Sequence, residues 1–62
     1  MYTIQLFDDD LLLEQDGFET RDDALDYAYP EAVELVASRR AIGILIVVVD
    51  KQTGGEVYEE RL

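Results

Sequence analysis

The side chains of this chain that could do chemistry are almost all carboxylates. The 62 residues contain 15 aspartates and glutamates, no cysteine and no histidine, with one serine, Ser38, and one lysine, Lys51. A thiolate nucleophile, an imidazole base and a cysteine or histidine zinc site are therefore excluded. A carboxylate pair can act as general acid and base only where a desolvated pocket separates its two pKa values. We expect neither an enzyme nor a cofactor or metal site.

The acidic run Asp8–Asp10 is the one segment with some likeness to a cation-binding loop. Calcium loops of the D-x-D-x-D-G type place oxygen ligands at alternate positions before a glycine. In this chain Leu12 stands where the third ligand belongs. The run therefore predicts a turn between two strands, not a calcium site.

The carboxylates are unevenly distributed along the chain, which has a net charge of −10. Residues 1–36 hold 11 acids and one base, Arg21, whereas residues 37–62 hold four acids and four bases. Such an excess repels nucleic acid and anionic membranes and attracts cationic proteins. The longest apolar run, 41–49, is far shorter than the roughly 20 residues that a membrane-spanning helix needs. With no secretory signal visible, we expect a cytoplasmic protein that contacts neither a membrane nor nucleic acid directly.

A helix over residues 21–40 positions many of these charges. Thr20 is a favourable N-cap, with Asp23 at capping-box spacing. Pro30 removes a backbone hydrogen bond from the middle of the segment, which favours a kinked helix over two short ones because the apolar register continues on both sides. Apolar residues at the spacing of one helical face predict a buried stripe of Leu25, Ala28, Tyr29, Ala32, Val33 and Val36.

Four strands flank the helix. Residues 2–7 alternate in polarity, 11–15 follow the turn at 8–10, and a second turn is expected at Asp16–Gly17. Residues 42–50 are apolar on both faces, and 56–60 return after a glycine-containing turn. The order β-β-α-β-β predicts a single α+β domain, 1–62, whose antiparallel sheet has strand order 2-1-3-4 and carries the helix on one face. The open face should present Thr3, Gln5, Phe7 and alternate residues of 42–49, an apolar contact surface.

With Leu25 at the centre of the buried stripe, the helix surface away from the sheet is a row of carboxylates. Residues three and four apart on a helix are roughly 5–6 Å apart at Cβ, and like charges at that spacing cost a few tenths of a kcal/mol per pair. The row contains no lysine or arginine, so folding alone gives no reason for it. Tyr27 lies in its middle, as an aromatic anchor of a protein interface would. The row consists of Asp23, Asp26, Glu31 and Glu34.

Fixed rows of carboxylates can imitate the phosphates of duplex DNA, which carries one charge per roughly 1.7 Å of axis. The hypothesis is that this protein occupies the basic surface of a nucleic-acid-binding protein and excludes DNA. The expected partner-binding residues combine the helix row with the acids that precede it: Asp8, Asp9, Asp10, Glu14, Asp16, Glu19, Asp23, Asp26, Tyr27, Glu31 and Glu34.

In size, in charge and in the acidic cluster at 8–34, the chain resembles the small acidic inhibitors that phages use against host defence, including anti-CRISPR and anti-restriction proteins. The resemblance implies a partner with a basic DNA channel, such as a CRISPR effector subunit. These inhibitors share no motif, so it assigns no residue. The segments 14–28 and 48–59 are also similar to short bacterial domains with a hairpin–helix–hairpin plan, which implies a fold and no activity.

Three other interpretations of the same residues remain open. The acidic row can be an ordinary solvated helix surface, with Tyr27 lying along it. Adaptation to high salt also gives an acid excess, although it predicts charge spread evenly along the chain. The third interpretation is a small adaptor or regulatory module, a monomer or a homodimer, that binds protein through the apolar open face of its sheet.

Overall fold

The elements follow the order β-β-α-β-β in the computed structural model, which describes residues 1–39 and 43–62. All neighbouring strands are antiparallel and the sheet order is β2-β1-β3-β4, so the predicted α+β topology is confirmed. The last residue predicted for the helix, Arg40, and the first residue predicted for the third strand, Ile42, lie outside the described residues. The elements are β1 Tyr2–Asp8, β2 Leu11–Phe18, α1 Arg21–Arg39, β3 Leu45–Asp50 and β4 Glu56–Arg61.

The core lies between the helix and the two central strands. In the β1–β3 pair, Ile4 is opposite Val48 and Leu6 is opposite Ile46, and all four side chains are fully buried. Branched aliphatic side chains of this kind pack well on a pleated surface, which is why these two segments form the middle of the sheet. The predicted strand alternation therefore identifies the sheet side of the core correctly.

The helix presents alanines to the sheet, and this corrects the predicted centre of the buried stripe. Ala24, Ala28 and Ala32 are fully buried. Leu25, the predicted centre, is only half-buried, and Val33 is 60% exposed. Alanine lets the helix backbone approach the sheet closely, so the larger side chains lie on the two flanks. The pattern of apolar residues indicated the right side of the helix but misjudged its rotation by about one residue position.

The helix begins as predicted and continues through its proline. Thr20 caps it, since its side-chain oxygen accepts a hydrogen bond from the Asp23 amide at 3.1 Å and its carbonyl accepts one from Ala24 at 3.1 Å. Pro30 lies exposed within a single helix, which excludes the alternative of two short helices. The predicted kink is not shown.

The first hairpin differs from its prediction in the length of β2. Asp16 and Gly17, expected to form a turn, are strand residues opposite Ile4 and Thr3. The predicted turn was wrong because β1 offers pairing partners along its whole length, and the ladder continues as far as Phe18. The expected turn before β2 is present, with Asp9 in a left-handed conformation at φ 58°. A bulge between Leu6 and Phe7 accompanies this hairpin.

The face of the sheet away from the helix carries Thr3, Gln5 and Phe7 from β1, as predicted. The register pairs these residues with Val49, Val47 and Leu45 of β3, respectively, which places them all on one face. Leu12 of β2 is opposite Phe7 and is 43% exposed. No element of the described chain covers this face.

Candidate functional site

Two carboxylates of β2 point to the same side of the sheet as the helix. Glu14 is opposite Leu6, and Asp16 is opposite Ile4. Because opposite residues share a face, Glu14 and Asp16 lie beside the helix at the edge of the core. Both acids were predicted as partner-binding residues, Glu14 within the short strand 11–15 and Asp16 in the turn after it. The longer β2 places both on the strand, where the ladder fixes their direction.

Tyr27 lies on the flank of the helix that faces β2, not on its solvent surface. The ring is half-buried, with its centroid 5.2 Å from that of Phe18 at an interplanar angle of 40°. Its hydroxyl donates a hydrogen bond to the Glu14 carboxylate. The predicted placement of Tyr27 on the far side of the helix was therefore wrong, because the buried face centres on the alanines and turns this ring toward the sheet.

Glu31, one helical turn after Tyr27, adds a further acid to this flank. Partial burial raises its pKa, and repulsion from the nearby carboxylates of Glu14 and Glu34 raises it further. The pKa of Tyr27 rises from 10.0 to about 12 because its hydroxyl is hydrogen-bonded to Glu14, with additional contributions from burial, Glu31 and Asp16. These mutual effects define one electrostatic unit, the β2-side acidic surface, which consists of Glu14, Asp16, Tyr27, Glu31 and Glu34.

The other predicted partner-binding residues lie around this surface or away from it. Asp23 is exposed one turn before Tyr27, and Asp26 is exposed on the outer side of the helix. Glu19 is exposed in the connection between β2 and the helix. Asp8, the last residue of β1, and Asp9 and Asp10 of the β1–β2 turn lie elsewhere, since they line grooves with the open-face strand residues or with Arg61. The eleven residues therefore do not form one continuous row.

The opposite flank of the helix carries a cluster that the sequence did not reveal. The Tyr29 and Tyr58 hydroxyls both donate to the Glu60 carboxylate, and their two oxygens lie against each other. These two hydrogen bonds lower the pKa of Glu60. The Arg21 guanidinium lies 5.5 Å from the centre of the Tyr58 ring. The sequence pattern of residues 56–61 does not indicate that Tyr58 and Glu60 contact the helix, because this contact depends on the strand order.

Arg21 is thereby held away from the β2-side acidic surface. Its aromatic partner is on β4 whereas Glu14 is on β2, at opposite edges of the sheet. Three strand spacings separate β2 from β4, or about 14 Å. The contact with Tyr58 therefore places the only base among residues 1–36 on the β4 side of the helix.

What this arrangement offers is charge and an aromatic edge. Among residues 1–39 and 43–62, no group of three carboxylates has the geometry to hold a metal ion. In the same part of the chain, no helix has the length and apolar character to cross a membrane. Comparisons with protein-family models, with curated proteins and with solved structures found no match to this chain. The local geometry and electrostatics must therefore carry the functional argument.

Proposed function

We propose that this protein is an acidic mimic of the DNA backbone that binds a cationic, nucleic-acid-binding surface of a bacterial defence protein and keeps DNA from it. The observation that carries the proposal is the crowding of Glu14, Asp16 and Glu31 around Tyr27, with Glu34 next to Glu31. Its partners by this proposal are proteins such as CRISPR effector subunits or restriction enzymes. It is not an enzyme.

Electrostatic repulsion among the carboxylates of the β2-side acidic surface supports the proposal. The pKa of Glu31 is raised because its carboxylate is partly desolvated and repelled by its neighbours. A lysine or arginine row brought against these carboxylates replaces that repulsion with attraction, as it does when such a row neutralises DNA phosphates. Binding of this kind is fast and weakens steeply with salt.

Tyr27 supplies what a phosphate row lacks, an anchored aromatic ring. Its contacts with Phe18 and Glu14 hold the ring in one orientation. A guanidinium that binds Glu14 or Glu31 and lies over the face of that ring gains about 0.5–1 kcal/mol more at an exposed site. This favours arginine-rich surfaces over lysine-rich ones.

A competition experiment with charge-matched variants tests the proposal. Purified CRISPR effector complexes and restriction enzymes are bound to labelled duplex DNA and titrated with this protein. Glu31→Gln/Glu34→Gln is compared with Glu56→Gln/Glu59→Gln. Each pair removes two charges, and in each pair one glutamate raises the pKa of the other. Both variants have a net charge of −8, since each loses two of the 15 acidic charges from a net charge of −10.

We expect the wild type and Glu56→Gln/Glu59→Gln to displace DNA from one of these proteins. Glu31→Gln/Glu34→Gln should bind that protein about tenfold more weakly, since each exposed charge pair contributes modestly to the affinity. The displacement should also weaken with added salt. If both variants displaced DNA equally poorly, net charge alone would explain the effect. That result would contradict the assignment to the β2-side acidic surface. If the protein displaced DNA from no member of the panel, the proposed function would be overturned.

A further inference from the structure

The open face of the sheet contains a groove with an apolar floor. Its floor is formed by Phe7 of β1, Leu45 of β3 and Gln5, all half-buried, around Val47 of β3, which is only 4% exposed. The groove is an open depression of about 290 Å³. Partly exposed apolar side chains on a sheet face that no described element covers are a candidate contact surface.

Carboxylates line the rim of the same groove. Asp9 and Asp10 border it from the β1–β2 turn, and Glu56 borders it from β4. Glu59 is opposite Val47 and shares the face. The pKa of Glu56 is raised, most of all by its side-chain contact with Glu59. The rim of the groove therefore carries several carboxylates, two of them in direct contact.

Arg61 also lies on this face. It is opposite Leu45, and it lines a second groove with Asp8, Asp9 and Gly43 at the end of the sheet. Together, Asp9, Asp10, Glu56, Glu59 and Arg61 carry a charge of −3. The charge that would complement this face is positive.

We propose that the open sheet face is a docking site for an amphipathic helix of a partner protein, with apolar side chains on the groove floor and lysines or arginines toward the acidic rim. Helices cover sheet faces in two-layer and three-layer domains, and the other face of this sheet already carries one. The aliphatic stem of a lysine or arginine can lie on the floor while its charged end reaches the rim. This site lies on the opposite side of the sheet from the β2-side acidic surface and does not depend on the proposed function.

A second copy of this chain is a poorer occupant for electrostatic reasons. Two copies joined through this face would bring together their rims, each carrying the same four carboxylates. Each chain also has a net charge of −10. Like charges placed directly opposite one another are destabilising, so the charge of the face selects a cationic partner.

The test uses three synthetic peptides of about 14 residues, roughly four helical turns. The first combines leucine on one face with lysine on the other. The second replaces every lysine by glutamate, and the third replaces every leucine by serine. Each is titrated into the isotopically labelled protein, and backbone amide NMR shifts report both the affinity and the location of binding. We expect the leucine–lysine peptide to shift the amides of Phe7, Leu45 and Val47, and the other two peptides to bind at least tenfold more weakly.

Charge-matched variants separate this groove from general attraction to an acidic protein. Asp9→Asn/Asp10→Asn/Glu56→Gln removes three charges from the rim, and asparagine tolerates the left-handed conformation of Asp9. Glu14→Gln/Glu31→Gln/Glu34→Gln removes three charges on the other side of the sheet. We expect the rim variant to lose about tenfold in affinity for the leucine–lysine peptide, since three exposed charge pairs are lost.

The Glu14→Gln/Glu31→Gln/Glu34→Gln variant should bind the leucine–lysine peptide as the wild type does. Equal losses in the two variants, or equally strong binding of the lysine–serine peptide, would overturn the proposal. Shifts confined to the β2-side acidic surface would overturn it as well. Circular dichroism of both variants checks that the fold is retained.

Discussion

At the scale of single residues, the hydroxyl of Tyr27 connects the helix to β2 and controls the electrostatics around it. The proton on this hydroxyl is held by Glu14, while Glu31 and Asp16 add negative charge nearby. Ionisation of Tyr27 would place a further anion among these carboxylates, so the neutral phenol is favoured. The same contact is why the Tyr27 ring keeps its orientation toward Phe18.

Replacement of Glu14 tests this contact directly. In the wild type the pKa of Tyr27 is raised to about 12, mainly by its hydrogen bond to Glu14. Glu14→Gln removes the charged acceptor, so we expect this pKa to fall toward 10.0, measured from the NMR shift of the Tyr27 ring carbon that bears the hydroxyl. Glu60→Gln is the matched control. It should lower the pKa of Tyr29, which Glu60 and Tyr58 raise, and leave Tyr27 unchanged.

The raised pKa of Tyr27 also gives the sign of a pH effect on stability. A group whose pKa is higher in the folded state contributes stability that is complete below its unfolded pKa. For Tyr27 that contribution is lost as the pH rises from 10.0 to about 12. Over this interval, the free energy of unfolding should therefore fall less steeply with rising pH in Glu14→Gln than in the wild type. Identical unfolding profiles would show that the hydrogen bond does not stabilise the folded protein.

At the scale of the elements, the alanine face of the helix sets where every larger helical side chain lies. Ala24, Ala28 and Ala32 are fully buried against the central strands. Because the helix sits close to the sheet, Tyr27 reaches β2 on one flank and Tyr29 reaches β4 on the other. The helix therefore connects both edge strands through tyrosines, although its main contact is with the central ones.

A pair of leucine substitutions tests this orientation of the helix. Ala28 is fully buried, so Ala28→Leu inserts three extra carbons into a packed layer and should destabilise the protein by about 1–3 kcal/mol. Val33 is 60% exposed, so Val33→Leu should change stability by no more than about 0.5 kcal/mol. Urea unfolding of both variants gives the comparison. Comparable destabilisation at positions 28 and 33 would support the stripe centred on Leu25 instead.

At the scale of the whole molecule, repulsion among acids opposes folding at neutral pH. The pKa values of Glu31 and Glu56 are raised, so both contribute stability that is present below the ordinary carboxyl pKa of 4.5 and lost as the pH rises. Glu60, whose pKa is lowered, contributes in the opposite sense, with stability present above the ordinary value and lost as the pH falls. A domain this small has only a modest core to offset such repulsion.

Salt should therefore stabilise this protein. About 0.1 M NaCl shortens the Debye length to about 10 Å and screens the exposed carboxylates from one another. If screening recovers about 1 kcal/mol, the Tm of a domain of this size rises by roughly 4–8 °C, measured by circular dichroism. Glu31→Gln/Glu34→Gln, which already lacks part of the repulsion, should show a smaller increase. A Tm that falls with salt would mean that attractive ion pairs dominate instead.

The sequence by itself determined the architecture of this protein. Strand alternation, the cap at Thr20 and the apolar stripe indicated four strands, one helix and the sheet order, because each signal is local and each connection is short. The excess of acids and the absence of thiols and imidazoles were equally direct. The polarity of β1 also identified Phe7 as a residue of the open face.

Only the tertiary structure decided which of these acids act together. The rotation of the helix about its axis depends on how closely its alanines approach the sheet. Turning the buried face by about one residue position, from Leu25 to the alanines, places Tyr27 on the β2 flank and not on the solvent side. The length of β2 depends on its partner strand, and that pairing turned Glu14 toward the helix. Both outcomes follow from contacts between residues distant in the chain, which spacing along the sequence does not encode.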